Sequence, residues 1–438
     1  MSPKWFGVCF LTSIGMANMS TNNRKMMMKM KSLSFFVLSA LSVSAFADTT
    51  IDKMFSDGTV KGELRLFDFT RDYDGATNKK HDTSLGGLFY YNTAKVNGIS
   101  FGTSFASANP IWTNDSDSVY GLVARDKNGD HDSVNRLQEY FIQGDWWNTK
   151  FKLGAQELRT PMMNPHDIRA IPRTFRGFSV ENNSVNNLTL SALYITDSMG
   201  WSDNSFISVK EAVQSELARA GVITEVADNP VYALGAKYQL PFEAVKTEVN
   251  LWHYRMEDVF NQTYAKVKFS TDISAVNFYL TPSYLTQKAT GDETGGPLDT
   301  YQYGFHLGAK FAGADVTYLY AKTGDDTVLT PWGDEKVVIQ QVYQSARADE
   351  EVNALKLAYD FEKLGLNGLE AYAYYGQYDV PENAGSDFSE INYSISYKFS
   401  GALSGLGLKA RYATIDFDQG ENFNDVRFYI NYKFTLGH

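Results

Sequence analysis

The chain has 438 residues, carries 40 Lys and Arg against 51 Asp and Glu for a net charge of −11, and contains one cysteine. That balance argues against nucleic-acid binding, and one cysteine excludes a disulfide framework or a Cys-based metal site. Aromatic residues make up 14% of the chain, and no apolar run beyond the first 47 residues is long enough to span a bilayer as a helix; this excludes helical spans and leaves membrane-crossing strands open.

Met28-Lys-Met-Lys31 is basic, Leu33 to Val43 is a short apolar run, and Ala45-Phe-Ala47 is a small-residue cleavage site, the pattern of a secretory signal. Residues 1–47 are therefore expected to be an upstream extension plus a cleaved signal peptide, with the start codon assigned too far upstream, and 48–438 a single mature domain. The first 47 residues hold five Lys or Arg and no acid, so the mature chain has 35 basic against 51 acidic residues, net −16, and loses Cys9.

From there the chain alternates with period two. In Tyr301 to Phe311, Ile391 to Phe399 and Val426 to Phe434, apolar residues share one face and Gln302, His306, Lys310, Asn392, Lys398, Arg427 and Lys433 the other. Eighteen such segments begin near Lys61, Thr83, Ile99, Arg136, Lys150, Phe175, Leu188, Val231, Thr247, Gln262, Ala275, Thr300, Asp315, Val352, Gly368, Phe388, Leu406 and Asp425. Their connections sort by parity. Even-numbered ones are tight (Asn148-Thr149, Asp272 to Ser274, Ala312 to Ala314, Ser400 to Gly405). Odd-numbered ones include Ser107 to Asn135, Arg159 to Thr174, Asp197 to Asn229 and Thr323 to Glu351, although the fifth is short. Short turns on one side and long loops on the other are what an outer-membrane barrel requires. The fold class is all-β: a transmembrane antiparallel β-barrel of eighteen strands with long external loops, both termini periplasmic.

The connection from Leu158 to Gly177 carries Pro161, Pro165 and Pro172, which forbid a regular strand or helix, and four guanidinium groups on Arg159, Arg169, Arg173 and Arg176. A rigid basic loop between strands suits a constriction folded into the lumen, with Asp167 as counter-charge. The alternative, in which Asp167 and one arginine only brace the loop against the wall, is open. Tyr120, Asp325 and Asp326 lie in other long loops and are further candidates to approach the pore, at positions the sequence does not fix. Further along, Ser208-Val-Lys-Glu211 is a capping box, Val209, Val213 and Leu217 share a helical face, and Gly221 is placed to end a short helix that shields the barrel mouth.

Three passages resemble the OprD family of substrate-specific outer-membrane porins: Gly62 to Tyr73, Leu85 to Asn92 with Asn97 to Gly102, and Lys152 to Gly177 with its Pro-Met-Met-Asn-Pro-His-Asp-Ile-Arg core. The resemblance implies an eighteen-stranded monomeric pore with a ladder of basic residues in the lumen. Two features depart from it: Phe434 is followed by Thr-Leu-Gly-His438, so the aromatic end common to such barrels is displaced, and alternation places only some rungs. Those are Lys152, Lys237, Lys266, Lys268, Lys310, Lys398, Lys409, Arg411, Arg427 and Lys433. Cations spaced along a narrow aqueous path lower the barrier for an anionic group; a merely polar lumen is the competing reading.

Acidic clusters occupy the external loops (Asp115 to Asp117, Asp126 to Asp132, Asp349 to Glu351) and read as a solvated outer face bridged by divalent cations to lipopolysaccharide. Asp126 to Asp132 fails as an EF-hand because Gly129 stands fourth rather than sixth. No Gly-x-Ser-x-Gly, phosphate loop or paired-His motif is present, and the six histidines are scattered, so neither an enzyme nor a cofactor or metal site is expected. The expected function is a passive outer-membrane channel for small carboxylate-bearing solutes: amino acids, peptides or organic acids. A general diffusion porin and a structural or adhesive barrel are the alternatives. Expected partners are outer-membrane lipids, lipopolysaccharide, small solutes and the barrel assembly machinery, with no nucleic acid; monomer and homotrimer both stay open.

Overall fold

The computed structural model describes residues 49–113, 119, 121–219, 222–333, 335–382 and 385–436. The targeting segment, Cys9, Asp115 to Asp117, Tyr120, Gly221 and His438 lie outside the described residues. Residues up to Lys53 form a unit apart from Met54 onward; its described part begins the short helix α1 (Thr49–Ser56).

Strands β1 (Thr59–Tyr73), β2 (Lys80–Asn92), β3 (Ile99–Ile111), β4 (Val134–Trp146), β5 (Thr149–Gln156) and β6 (Thr174–Val185) come first. They lead into β7 (Leu188–Met199), β8 (Val231–Leu240), β9 (Lys246–Met256), β10 (Phe260–Ile273), β11 (Val276–Ala289) and β12 (Asp299–Phe311). The wall is completed by β13 (Ala314–Thr323), β14 (Glu351–Asp360), β15 (Leu369–Asp379), β16 (Phe388–Lys398), β17 (Leu406–Phe417) and β18 (Phe423–Leu436). Each begins within three residues of its expected start. Neighbours in sequence pair antiparallel, and β18 returns to β1 with Val60 opposite Leu436 and Tyr73 opposite Phe423, so the sheet closes on itself. Closure removes the unpaired strand edges that lipid would not tolerate.

Alternation sets the two faces. Leu64, Leu251, Tyr303, Ile395, Phe428 and Ile430 are exposed on the outer wall, where lipid covers them. Their neighbours turn into the lumen. Tight connections such as 147–148 and 312–313 lie at one end; the long 112–133, 157–173, 200–230 and 324–350 lie at the other. The tight ends use left-handed backbone: Ala312 and Gly313 have φ of 49° and 89°, the two positive values a two-residue hairpin turn needs.

Helix α2 (Val209–Arg219) forms in the 200–230 loop as the capping box requires. The Ser208 hydroxyl accepts from the Glu211 amide at 3.2 Å while the Glu211 carboxylate accepts from the Ser208 amide at 2.8 Å. Its buried face of Val209, Val213 and Leu217 packs with Val226 and with Val231, Met256 and Phe260 of the wall.

Candidate solute pathway

The 157–173 loop crosses the barrel interior. At one side Ala170 and Ile171 pack on Phe67 and Phe69 of β1 and Tyr429 of β18. At the other, Met162 and Met163 pack with Trp252 and Tyr254 of β9 and Phe260 of β10, and the Met162 amide donates to the Tyr254 hydroxyl at 3.3 Å. Burying Met163 and Ile171 contributes roughly 1.5–3 kcal/mol each. The prolines leave carbonyls without helical or strand partners, and side chains of the wall take them up. Arg136 and Gln138 of β4 donate to the Pro172 carbonyl at 2.9 and 2.8 Å.

Arg65 of β1 is the main clamp. Its guanidinium is buried and donates to both Asp167 oxygens at 2.6 and 2.7 Å, to the Ala170 carbonyl at 3.1 Å and to Glu63 at 3.0 Å. Asp167 is thus held by an arginine of the wall rather than one of its own loop.

A second inward loop, 324–350, faces the first; of it the sequence offered only Asp325 and Asp326 as approaching the pore. Gln287 of β11 exchanges two 2.9 Å hydrogen bonds with the backbone of Leu329, His306 meets the Val337 carbonyl at 2.6 Å, and the Glu390 carboxylate accepts from the Val342 and Tyr343 amides at 2.9 and 2.8 Å. The loops touch where the Asn164 amide donates to the Trp332 carbonyl at 3.3 Å. Between them a concavity of about 490 Å³ is lined by Arg159, Asp167, Glu181, Lys237, Trp252 and Glu335.

The loop arginines divide. Arg159 reaches into this concavity with its side chain 82% exposed, 3.6 Å from Glu157. The other three do not line it. Arg169 is 8% exposed, lying over Phe69 at 5.5 Å and Trp201 at 5.2 Å; Arg173 stacks on Trp201 at 4.1 Å. Arg176 shares the outer strand face with exposed Phe178 and is held by Asp197, so its place in the expected constriction is corrected. The physical reason for Arg176 is that it already belongs to β6, whose alternation turns it outward with Phe178; Arg169 and Arg173, in a loop that fills the barrel, are stowed against aromatic faces, which accept guanidinium groups.

Of the ten expected rungs, five are paired across strands. Lys237 and Lys268 share Glu248 at 3.0 and 3.4 Å, Lys310 meets Asp315 at 3.5 Å, Lys398 meets Glu370 at 2.8 Å and Lys433 meets Glu63 at 3.8 Å. Lys266 is paired with Glu335 of the second loop. Arg427 is corrected: it is 1% exposed beneath the loops, bonded to Asp425 at 2.5 Å, and no solute reaches it. Lys152 lies over Phe141 at 4.1 Å and Lys409 over Tyr429 at 5.5 Å. Lys356 of β14, missed by the alternation because its own face also carries Ala354 and Ala358, lies over Tyr372 at 4.7 Å. Among the described residues, Lys356, Lys409 and Arg411 have no carboxylate within 4.0 Å.

Glu157, at the root of the first loop, is unusual. Burial, and then the neighbouring Glu139 charge, push its carboxyl up to about 7, while the Tyr90 hydroxyl donates to it at 2.9 Å. Among the described residues no cluster of three His, Cys, Asp or Glu is placed to hold a metal. In the 126–132 turn, Asp126 spends its carboxylate on the amides of Asn128 and Asp130 at 2.8 and 3.0 Å.

Residues 53–436 match the model of the outer membrane porin, OprD family. The porin-like protein GalP of Pseudomonas putida is 22% identical over 419 residues, 92% of this chain and 97% of that one. Among solved structures, a BenF-like porin from Pseudomonas fluorescens superposes with a TM-score of 0.78 at 19% identity, covering 87% of this chain and 100% of that one. Pseudomonas aeruginosa OpdK, crystallised with vanillate, superposes with a TM-score of 0.76 at 18% identity and the same coverage. At these identities the structural matches speak for the fold.

Proposed function

The chain belongs to the OprD family of outer membrane porins, and we propose that its channel favours small solutes bearing a carboxylate. The family and the closed barrel point to an outer-membrane channel. The observation that carries the finer reading is Arg159, an exposed guanidinium inside the concavity between two inward loops, with Lys237 beside it. A guanidinium fork grips a carboxylate bidentately, which adds geometric specificity to the charge attraction. Beyond the loops, Lys356, Lys409 and Arg411 offer further cations against a wall of Tyr372 and Tyr429. Cation and ring side by side suit an aromatic or amphiphilic acid, the class to which the vanillate bound by OpdK belongs.

The cross-strand pairing of Lys237, Lys268, Lys310, Lys398 and Lys433 favours a second reading, a general diffusion porin whose lumen is hydrated and charge-balanced. Liposome swelling separates the two. A carboxylate and its primary amide, nearly equal in size, should enter at different rates through a selective channel, the carboxylate faster; equal rates assign the general porin.

A further inference from the structure

On the outer wall, the external ends of β9, β10 and β11 carry a cluster of polar groups. One cross-strand row runs Tyr232, Arg255, Asn261, Lys288, Asp299, and the row beneath it Leu234, His253, Thr263, Thr286, Tyr301. His253 and Thr263 are bonded at 2.9 Å. Exposed Leu251 and Tyr284 follow one step further into the wall, so the cations stand just above the apolar band, at headgroup depth.

Arg255 and Lys288 are two strands apart, roughly 10 Å at about 4.8 Å per strand, close enough for their long side chains to converge on one headgroup. Their present partners are weak competitors: Arg255 meets Glu257 at 2.6 Å and Lys288 meets Asp299 at 3.1 Å, all four side chains being 45 to 74% exposed. Exposed pairs of this kind hold together by little. Elsewhere on the same rim β14, β15 and β17 present Glu351, Asp379 and Asp416, and the cations are engaged: Arg176 of β6 donates to both oxygens of Asp197, and Lys322 is bound to the backbone carbonyl of Asp349 at 2.8 Å. Arg255 and Lys288 are therefore the loosely held cations of this face, balanced by the exposed Glu257 and Asp299.

We propose that this face of β9–β11 docks the phosphorylated headgroup of the outer-leaflet glycolipid, with Arg255 and Lys288 binding its phosphates and His253 and Thr263 supplying neutral hydrogen bonds to its sugar. Guanidinium and ammonium groups complement phosphate oxygens, and Glu257 and Asp299 are placed to share bridging divalent cations with them. The inference rests on the outer-membrane location and is independent of what crosses the pore.

Native mass spectrometry of the mature barrel with lipid A in its bis-phosphorylated and dephosphorylated forms tests it, with folding checked by heat-modifiable gel migration. The Arg255→Gln/Lys288→Gln variant should bind the phosphorylated form roughly tenfold more weakly, as expected for lost charge-assisted bonds, and the dephosphorylated form unchanged. Excess inorganic phosphate should not displace the glycolipid. A Lys322→Gln control should bind like the wild type. Should the double variant fail to fold, Glu257→Gln/Asp299→Asn in magnesium-free buffer is expected to tighten binding. Equal binding of both lipid forms by the wild type, an equal loss in Lys322→Gln, displacement by free phosphate, or a dimer that dissociates when Arg255 and Lys288 are neutralised would overturn the assignment.

Discussion

Replacing Arg65 by Ala removes the clamp that ties the first inward loop to β1. Five contacts are lost: both oxygens of Asp167, the carbonyls of Arg169 and Ala170, and Glu63. Breaking a buried ion pair by deleting one partner costs about 3–5 kcal/mol. Asp167 is 44% exposed and regains water, which lowers the figure toward roughly 2–3 kcal/mol. Because every 1.4 kcal/mol is tenfold in population, the displaced loop should become roughly 30- to 150-fold more populated. Ile171, Met162 and Met163 still anchor the loop, so the barrel itself should stay folded. Single-channel recording in planar bilayers should then show a larger conductance and added open-channel noise. Asp167→Asn, which keeps the carbonyl contacts, should show a smaller change in the same direction. An Arg65→Ala channel with wild-type conductance and noise would refute the claim that this side chain holds the loop in the passage.

Other consequences follow from the same geometry. Below about pH 7 the buried Glu157 carboxyl is protonated and no longer offsets Arg159, so anion selectivity should rise as pH falls from 8 to 6, and Glu157→Gln should hold the low-pH value throughout; an unaltered pH profile in that variant would remove Glu157 from the passage. Neutralising Lys356, Lys409 and Arg411 together should slow carboxylate entry more than entry of the matched amide, with the gap shrinking at high salt as screening length falls; parallel losses for both solutes would assign these groups to hydration alone. Met163→Ala leaves a cavity beneath the loop and should destabilise its docking by about 2–5 kcal/mol, seen as added current noise; quiet channels would mean that the site collapses without loss.

The barrel was legible in the sequence because the lipid face and loop parity repeat around it. In β16 and β18, Tyr393, Ile395, Phe428 and Ile430 alternate with polar lumen residues, and strand positions follow directly. Alternation misleads where the loops fill the lumen. On β1 the inward residues Phe67 and Phe69 are apolar because they carry the loop, and on β9 the pattern inverts, with Trp252, Tyr254 and Met256 inside and His253 and Arg255 outside. Arg65 was therefore hidden among aromatic neighbours. The second inward loop had a usable sign, since Trp332, Val337 and Val338 are too apolar for a solvated external loop of its length. The fates of Arg169, Arg173 and Arg176 depend on contacts with Phe69, Trp201 and Asp197, which no local pattern encodes.

The most direct test of the selective-channel account is the reversal potential of the open channel in a planar bilayer under a potassium chloride gradient, measured for the wild type and for Arg159→Gln. An exposed guanidinium between the two inward loops predicts anion selectivity in the wild type and a shift of the reversal potential toward cations in the variant. A wild-type channel without anion preference, or an identical reversal potential in Arg159→Gln, would contradict it.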